Sequence, residues 1–191
     1  KNLLVFAVVS VMYLLGLFNF AERHLIDLRY RALQRDATGE IVVIKIDPVS
    51  LAEQGVWPWP RSRHADLLDR LFEAGAREVA LDIDFSSRQN PSEDARFAAA
   101  LNKYGERVIL PVFKQEDRHS SGSAISYTRP IPEFLTSVRT ASLNVRPDPD
   151  GTIRMMQVAD SWPDDFVPTL ATMLSGTSRG ATDSYNIDFG I

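Results

Sequence analysis

The sequence predicts an α/β domain: an open, mainly parallel sheet that begins with a βαβαβ unit, continues into an antiparallel hairpin and follows an N-terminal transmembrane helix. Three observations carry this. An uncharged apolar run, residues 3–20, opens the chain. Strand-like segments at 41–46 (IVVIKI), 78–85 (EVALDIDF) and 107–113 (RVILPVF) then alternate with two amphipathic helical patterns. Such alternation implies right-handed crossovers and parallel pairing. Finally, Pro147-Asp148-Pro149-Asp150-Gly151 places strong turn chemistry between strand patterns at 140–146 and 153–160, which suggests the hairpin.

Composition narrows the function classes. The chain has 191 residues, enough for one domain and a short appendage. Its net charge of -4 leaves no basic face for nucleic acid. It has no cysteine, so disulfides, a thiol nucleophile and cysteine-ligated zinc are excluded.

The elements follow in order. Residues 3–20 would span roughly 27 Å as a helix, close to the ~30 Å hydrocarbon core of a bilayer, and no small-residue cleavage site follows. Residues 1–21 are therefore expected to be a retained anchor. Arg23, Arg29, Arg31 and Arg35 follow the run and only Lys1 precedes it, a charge distribution that opposes an extracytoplasmic C-terminal side. Residues 22–37 are expected to continue the helix, with Leu25, Leu28, Ala32 and Leu33 at helical spacing and arginines opposite. This stripe suits a homodimer interface or packing on the chain's own domain.

Residues 38–191 form the expected globular domain, C-terminally incomplete. Ser62 is a candidate N-cap for a helix with His64, Leu67, Leu68, Leu71 and Phe72 on one face and Gly75 at its end. Ser92 opens a second helix with Phe97, Leu101 and Tyr104 inward and Gly105 as its stop. Residues 114–127 are polar and serine-rich, the pattern of a mobile loop. A short helix at 166–174 and a strand at 185–191 complete the reading.

Two segments carry potential chemistry. In Trp57-Pro58-Trp59-Pro60-Arg61 the prolines stiffen the backbone, holding two indoles and an arginine where the carboxyl ends of parallel strands bind ligands. The same residues also fit a hydrophobic plug with Arg61 tied to a carboxylate. Side-chain alternation puts Lys45 with Asp47 on one face, and Asp82 with Asp84 on another. If those two strands are neighbours, four charges gather near Arg61. Arg61 would then pair with Asp47 or Asp82, and Lys45 with Asp84, under Trp59. Complete pairs would be structural, whereas a cleft left between Trp59, Arg61 and the helix start would suit a small anionic ligand. The candidate ligand-binding set is thus Lys45, Asp47, Trp57, Trp59, Arg61, Asp82 and Asp84.

Asp82-Ile83-Asp84-Phe85-Ser86 also resembles the first motif of haloacid-dehalogenase-like phosphohydrolases, in which paired aspartates hold a metal. The downstream Asp-Asp pair, Asp164-Asp165, follows Trp-Pro at an expected helix start. A periplasmic metal-dependent phosphohydrolase using Asp82 and Asp84 is the alternative function. His24, His64 and His119 lack ligand spacing. Asp148, Asp150 and Gly151 mimic half a calcium loop, but Arg146 and Gln157 stand at its first and last ligand positions. No metal or cofactor is expected.

A family resemblance covers nearly everything after the anchor. It is carried by Leu25-Ile26-Asp27-Leu28-Arg29-Tyr30, Ile46-Asp47, Trp57-Pro58-Trp59-Pro60-Arg61, His64, Leu81-Asp82, Phe85 and Asp94. Asp150-Gly151-Thr152-Ile153-Arg154 and Pro168-Thr169-Leu170-Ala171 continue it. Together these resemble the second type of CHASE domain, a sensory extracellular module associated with cyclases and histidine kinases. The resemblance implies a membrane-anchored extracytoplasmic sensor without catalytic residues, set in the inner membrane of a bacterial receptor. It also implies further membrane helices and an output such as a diguanylate cyclase, adenylate cyclase or kinase. The expected partners are the membrane, a second copy of the chain and an unknown small-molecule or protein signal. Lys45 and Asp84 depart from the family pattern, which usually has apolar or small residues there.

Overall fold

The computed structural model describes the chain except residues 1, 15, 34, 35, 37, 120, 121, 177–179 and 188–191. It divides into two compact units, residues 1–45 with 187–191, and residues 46–186.

In the first unit the apolar run is not one helix. Helix α1 spans Asn2–Leu14 and α2 spans Leu17–Ala32. Between them Gly16 adopts φ 68° and ψ 15°, a left-handed conformation open to glycine because it lacks a Cβ. Helix α1 is thus only about 20 Å long, and no helix among the described residues is long and apolar enough to cross a membrane. Helix α2 ends at Ala32, where the Leu33 amide closes on the Arg29 carbonyl and Arg29 and Arg31 complement the helix dipole; residues 34, 35 and 37 of the expected continuation lie outside the described residues. Among the described residues the expected strand at 41–46 forms no ladder. Its backbone is non-helical, but Ile41, Val42, Val43 and Ile44 are all more than half exposed. Branched side chains favour extended geometry, yet a strand also needs a partner's N–H and C=O groups.

The second unit is built around three parallel strands. Helix α3 (Pro48–Gln54) and α4 (Arg61–Glu73) lead to β1 (Val79–Ala80). Helix α5 (Pro91–Tyr104) then crosses to β2 (Val108–His119). Strand β2 pairs in parallel with β1 at Val79↔Val108 and with β4 (Arg139–Ser142) at Ile109↔Arg139 through Val112↔Ser142. The helix–strand alternation from α4 onward is therefore present. The sheet, however, begins at β1 and is mixed. The 78–85 segment contributes only two ladder residues, because its later part turns under α5: Ile131 donates its amide to the Phe85 carbonyl.

Three expectations about the later chain are corrected. Residues 114–127 are not a plain loop: beyond Val112, β2 runs on as an antiparallel ribbon with β3 (Gly122–Thr128), in register from Phe113↔Thr128 to His119↔Gly122. Residues 140–146 and 153–160 do not form a hairpin. The turn exists, since Asp148 donates its amide to the Thr152 carbonyl and Gly151 to that of Asp148. Its flanks pair elsewhere, because β4 is already committed to β2. Strand β5 (Met155–Gln157) pairs with β8 (Ser184–Asn186), and β6 (Ala159–Ser161) with β7 (Phe166–Pro168), both antiparallel. The expected helix at 166–174 is therefore β7 followed by a short α6 (Leu170–Ser175), capped by Thr169. The end of the expected 185–191 strand, residues 188–191, lies outside the described residues.

Helices α4 and α5 cover one face of the sheet. Ala65, Leu68, Phe97, Ala100 and Leu101 meet Val79, Leu81, Val108, Leu110, Phe85, Ile131 and Phe134 in one core. The helices start at proline-led first turns, Pro60 before α4 and Asn90-Pro91 for α5, where the Asn90 carboxamide accepts from the Ser92 amide. Gly75 (φ +94°) and Gly105 (φ +58°) follow their ends as expected.

Candidate functional site

The first turns of α4 and α5 build an aromatic and ionic cluster on the core. Along α4 the buried residues are Arg61, His64, Ala65 and Leu68, the spacing of one helical face. Along α5 they are Asp94, Phe97, Ala100 and Leu101. Each buried face thus begins with a charge, and packing the two helices brings the charges together. Arg61 Nε lies 3.8 Å from Asp94 Oδ1, and Arg61 Nη2 donates to the Ser87 carbonyl at 3.1 Å. The Arg61 guanidinium stands 4.5 Å above the Phe85 ring, a cation–π contact strengthened by desolvation. Burial pulls the guanidinium below its ordinary pKa, while Asp94 and then Asp84 oppose the shift. Asp94 Oδ2 accepts the Gln89 amide at 3.0 Å.

The Trp-Pro loop closes over this cluster. The Trp57 and Trp59 rings meet edge to face at 5.8 Å, and both abut His64, at 5.9 and 6.4 Å. Behind His64 stand Phe85 at 5.6 Å and Phe97 at 6.1 Å. His64 is 1% exposed, and burial, then the nearby Arg61 charge, lowers its pKa from 6.5 to about 4. Trp59 ties its indole N–H to the Gly55 carbonyl at 2.9 Å, inside its own loop.

Of the aspartates named from sequence, Asp84 acts on Arg61 through its charge, and among the described residues neither Asp47 nor Asp82 pairs with it. Asp47 caps α3 through the Ser50 amide and hydroxyl, which hold its carboxyl below the usual range. Asp84 accepts the Ser86 amide in a local turn. Lys45, Asp82 and Asp84 are exposed. Arg61 therefore pairs with Asp94, which the spacing Asp94, Phe97, Leu101 could have placed on the inner face of α5. The start of α4 is also filled, since Glu93 Oε2 accepts the Ser62 amide at 2.7 Å. Ser62 is thus a recipient of capping and not the cap. Hydrogen bonds from Ser62 hold the Glu93 carboxyl below its usual range. Across the sheet, Ala80, Ile109, Pro111, Ala141 and Leu170 line an apolar hollow with no room even for a water molecule.

Two further polar nodes were not legible from spacing. Arg154, 6% exposed, reaches Asp148 at 2.8 Å and Asp150 at 2.9 Å, fastening the turn. At the carboxyl end of β4, buried Ser142 bonds the Asp160 carboxylate, and the Asn144 side chain binds both backbone groups of Lys114. The paired acids expected of a phosphohydrolase are not assembled. Asp82 and Asp84 stand exposed on a loop, and the exposed Asp165 carboxylate accepts the Phe166 amide.

On α2 the expected stripe faces solvent, with Leu25 65%, Leu28 63% and Leu33 46% exposed and Ala32 also exposed.

The family model of the CHASE2 domain matches residues 4–186, and the chain belongs to that family. CHASE2 domains are extracytoplasmic sensory domains of membrane receptors and are typically non-catalytic. No curated protein and no solved structure matches the chain.

Proposed function

We propose that this CHASE2 domain is the signal-receiving part of a bacterial transmembrane receptor whose output is a nucleotide cyclase or a kinase. The observation that carries the reading is the family match over residues 4–186. Residues 3–20 serve as the inner-membrane anchor; their uncharged composition and the family's place in membrane receptors support this, although α1, about 20 Å long, does not span a bilayer by itself. The domain after Glu22 lies on the periplasmic side. The exposed stripe of Leu25, Leu28, Ala32 and Leu33 pairs with a second copy, giving an element with two arrangements that a signal can bias. The signal is received at the cluster of Trp57, Trp59 and Arg61, whose internal pairing makes Arg61 part of the sensor's frame. Single cysteines at Leu25 and Leu28 are expected to crosslink between subunits in membranes, and a reporter fused after Gly39 should be active outside the cytoplasm. Cytoplasmic reporter activity, or no crosslink at either position, would overturn the reading.

A further inference from the structure

Three of the four buried side-chain polar atoms that lack a hydrogen-bond partner among the described residues sit in one cluster: Arg61 Nε, His64 Nδ1 and Asp94 Oδ1. Native interiors leave few such groups, and a concentration of them points to a role beyond packing. Here they lie directly beneath the 55–60 strap.

We propose that the Gly55–Pro60 strap is an acid-released latch, held shut by neutral His64 and opened when that imidazole takes up a proton. The reasoning starts from what surrounds the ring. From α4, Arg61 lies one turn away and already carries a positive charge. From α5, Glu93 is tied to the Ser62 amide, and Asp94 to the Gln89 amide and the Arg61 guanidinium. From the segment before α5, Asp84 is tied to the Ser86 amide. Glu53 of α3 is exposed. The strap, Gly55 to Pro60, has no ionisable side chain. A protonated His64 would add a second cation to a buried site where the carboxylate oxygen without a hydrogen bond, Asp94 Oδ1, already faces the Arg61 charge at 3.8 Å, an arrangement that burial penalises.

The geometry selects the side that yields. Phe85 and Phe97 stack on each other at 4.8 Å, and Phe97 packs on Phe134 at 5.0 Å, so the inner wall is continuous with the core. The outer wall is the strap, where Trp57 is 40% exposed. Its indole hydrogen bond is internal, and its neighbour α3 is held to α4 by an exposed Arg63–Gln54 bond. Opening the strap hydrates the imidazolium without dismantling the sheet.

The sign follows from linkage. His64 titrates at about 4 when enclosed, against 6.5 in its ordinary state, so the closed form binds fewer protons than the open one. The stabilisation of the closed form is complete above pH 6.5. It falls as pH drops toward 4 and is lost below that, a change of about 300-fold in the closed-to-open ratio. The physiological use of the latch rests on the extracytoplasmic reading above, but the latch itself is a property of this chain.

The experiment uses the whole chain in lipid nanodiscs, with Trp162→Phe leaving the two strap indoles as the only tryptophans. Their emission and acrylamide quenching are followed from about pH 7.5 to about pH 3.5 beside far-UV circular dichroism. A reversible red shift and increased quenching, with the far-UV signal retained, are expected, and His64→Phe should abolish both. Identical transitions with and without His64→Phe would overturn the latch, as would emission changing only together with loss of the far-UV signal. Should His64→Phe fail to fold, the His64 ring resonance in the native chain decides. It must titrate together with the emission change, and titration near 6.5 with no emission change refutes the proposal. The outcome is independent of the crosslinking and reporter tests, so either idea can fail alone.

Discussion

Replacing Arg61 by alanine separates a structural pair from a ligand handle. The side chain is 5% exposed and lies 3.8 Å from Asp94 Oδ1. At an effective dielectric of about 20 that separation corresponds to a gross attraction of ~4 kcal/mol. Much of it offsets desolvation of the two groups, so the net worth of the pair is smaller than this. Removing one partner leaves the other enclosed: among the described residues Asp94 would keep the Gln89 amide at 3.0 Å as its side-chain hydrogen bond. Breaking a buried pair in this way typically destabilises by ~3–5 kcal/mol, and the cation–π contact at 4.5 Å from Phe85 disappears with it. Arg61→Ala is therefore expected to lower the urea midpoint strongly with an unchanged slope. Arg61→Met combined with Asp94→Leu should be much less damaging than the two single changes added together, because no uncompensated charge remains. The reasoning is refuted if Arg61→Ala shifts stability by less than ~1 kcal/mol, or if the two substitutions are additive. Loss of signalling at unchanged stability would make Arg61 a ligand contact.

Two further outcomes follow from the same packing. Phe97 is fully buried against His64, Phe85 and Phe134, so Phe97→Ala should destabilise by ~3–5 kcal/mol in the urea assay; a change under ~1 kcal/mol would mean the helices do not pack as described. Arg154→Ala frees Asp148 and Asp150 and should cost ~2 kcal/mol, with faster hydrogen exchange at the Gly151 and Thr152 amides. Unchanged exchange there would show that the turn holds itself.

Local features were readable where a residue's own chemistry decides the outcome. The 3.6-residue periodicity of α4 and α5, their glycine ends and the 147–151 turn chemistry all correspond to elements of the structure. The aromatic character of the Trp-Pro loop also suggested a hydrophobic plug, and the two indoles pack on His64 of α4. What could not be read was partner choice. Asp47, Asp82 and Asp94 are all carboxylates near helix or strand ends in the sequence, and nothing local says which one Arg61 will meet. That is settled by α5 packing along α4 so that both buried faces start with their charge.

The same distinction divides the chain as a whole. The sequence by itself determined that residues 3–20 are uncharged and apolar, that helices flank a strand-forming segment, and that the motifs resemble one sensory family. These are properties of composition and short-range spacing. Only the tertiary structure decided that Gly16 divides the apolar run into two helices. It likewise decided that 41–46 has no ladder partner among the described residues while 108–112 is flanked on both sides, and that β4 joins β2 and not its neighbour across the turn. A ladder is a relation between two segments, and an ion pair a relation between two surfaces. The free energy of each depends on burial and on partners distant in sequence, which no local pattern encodes.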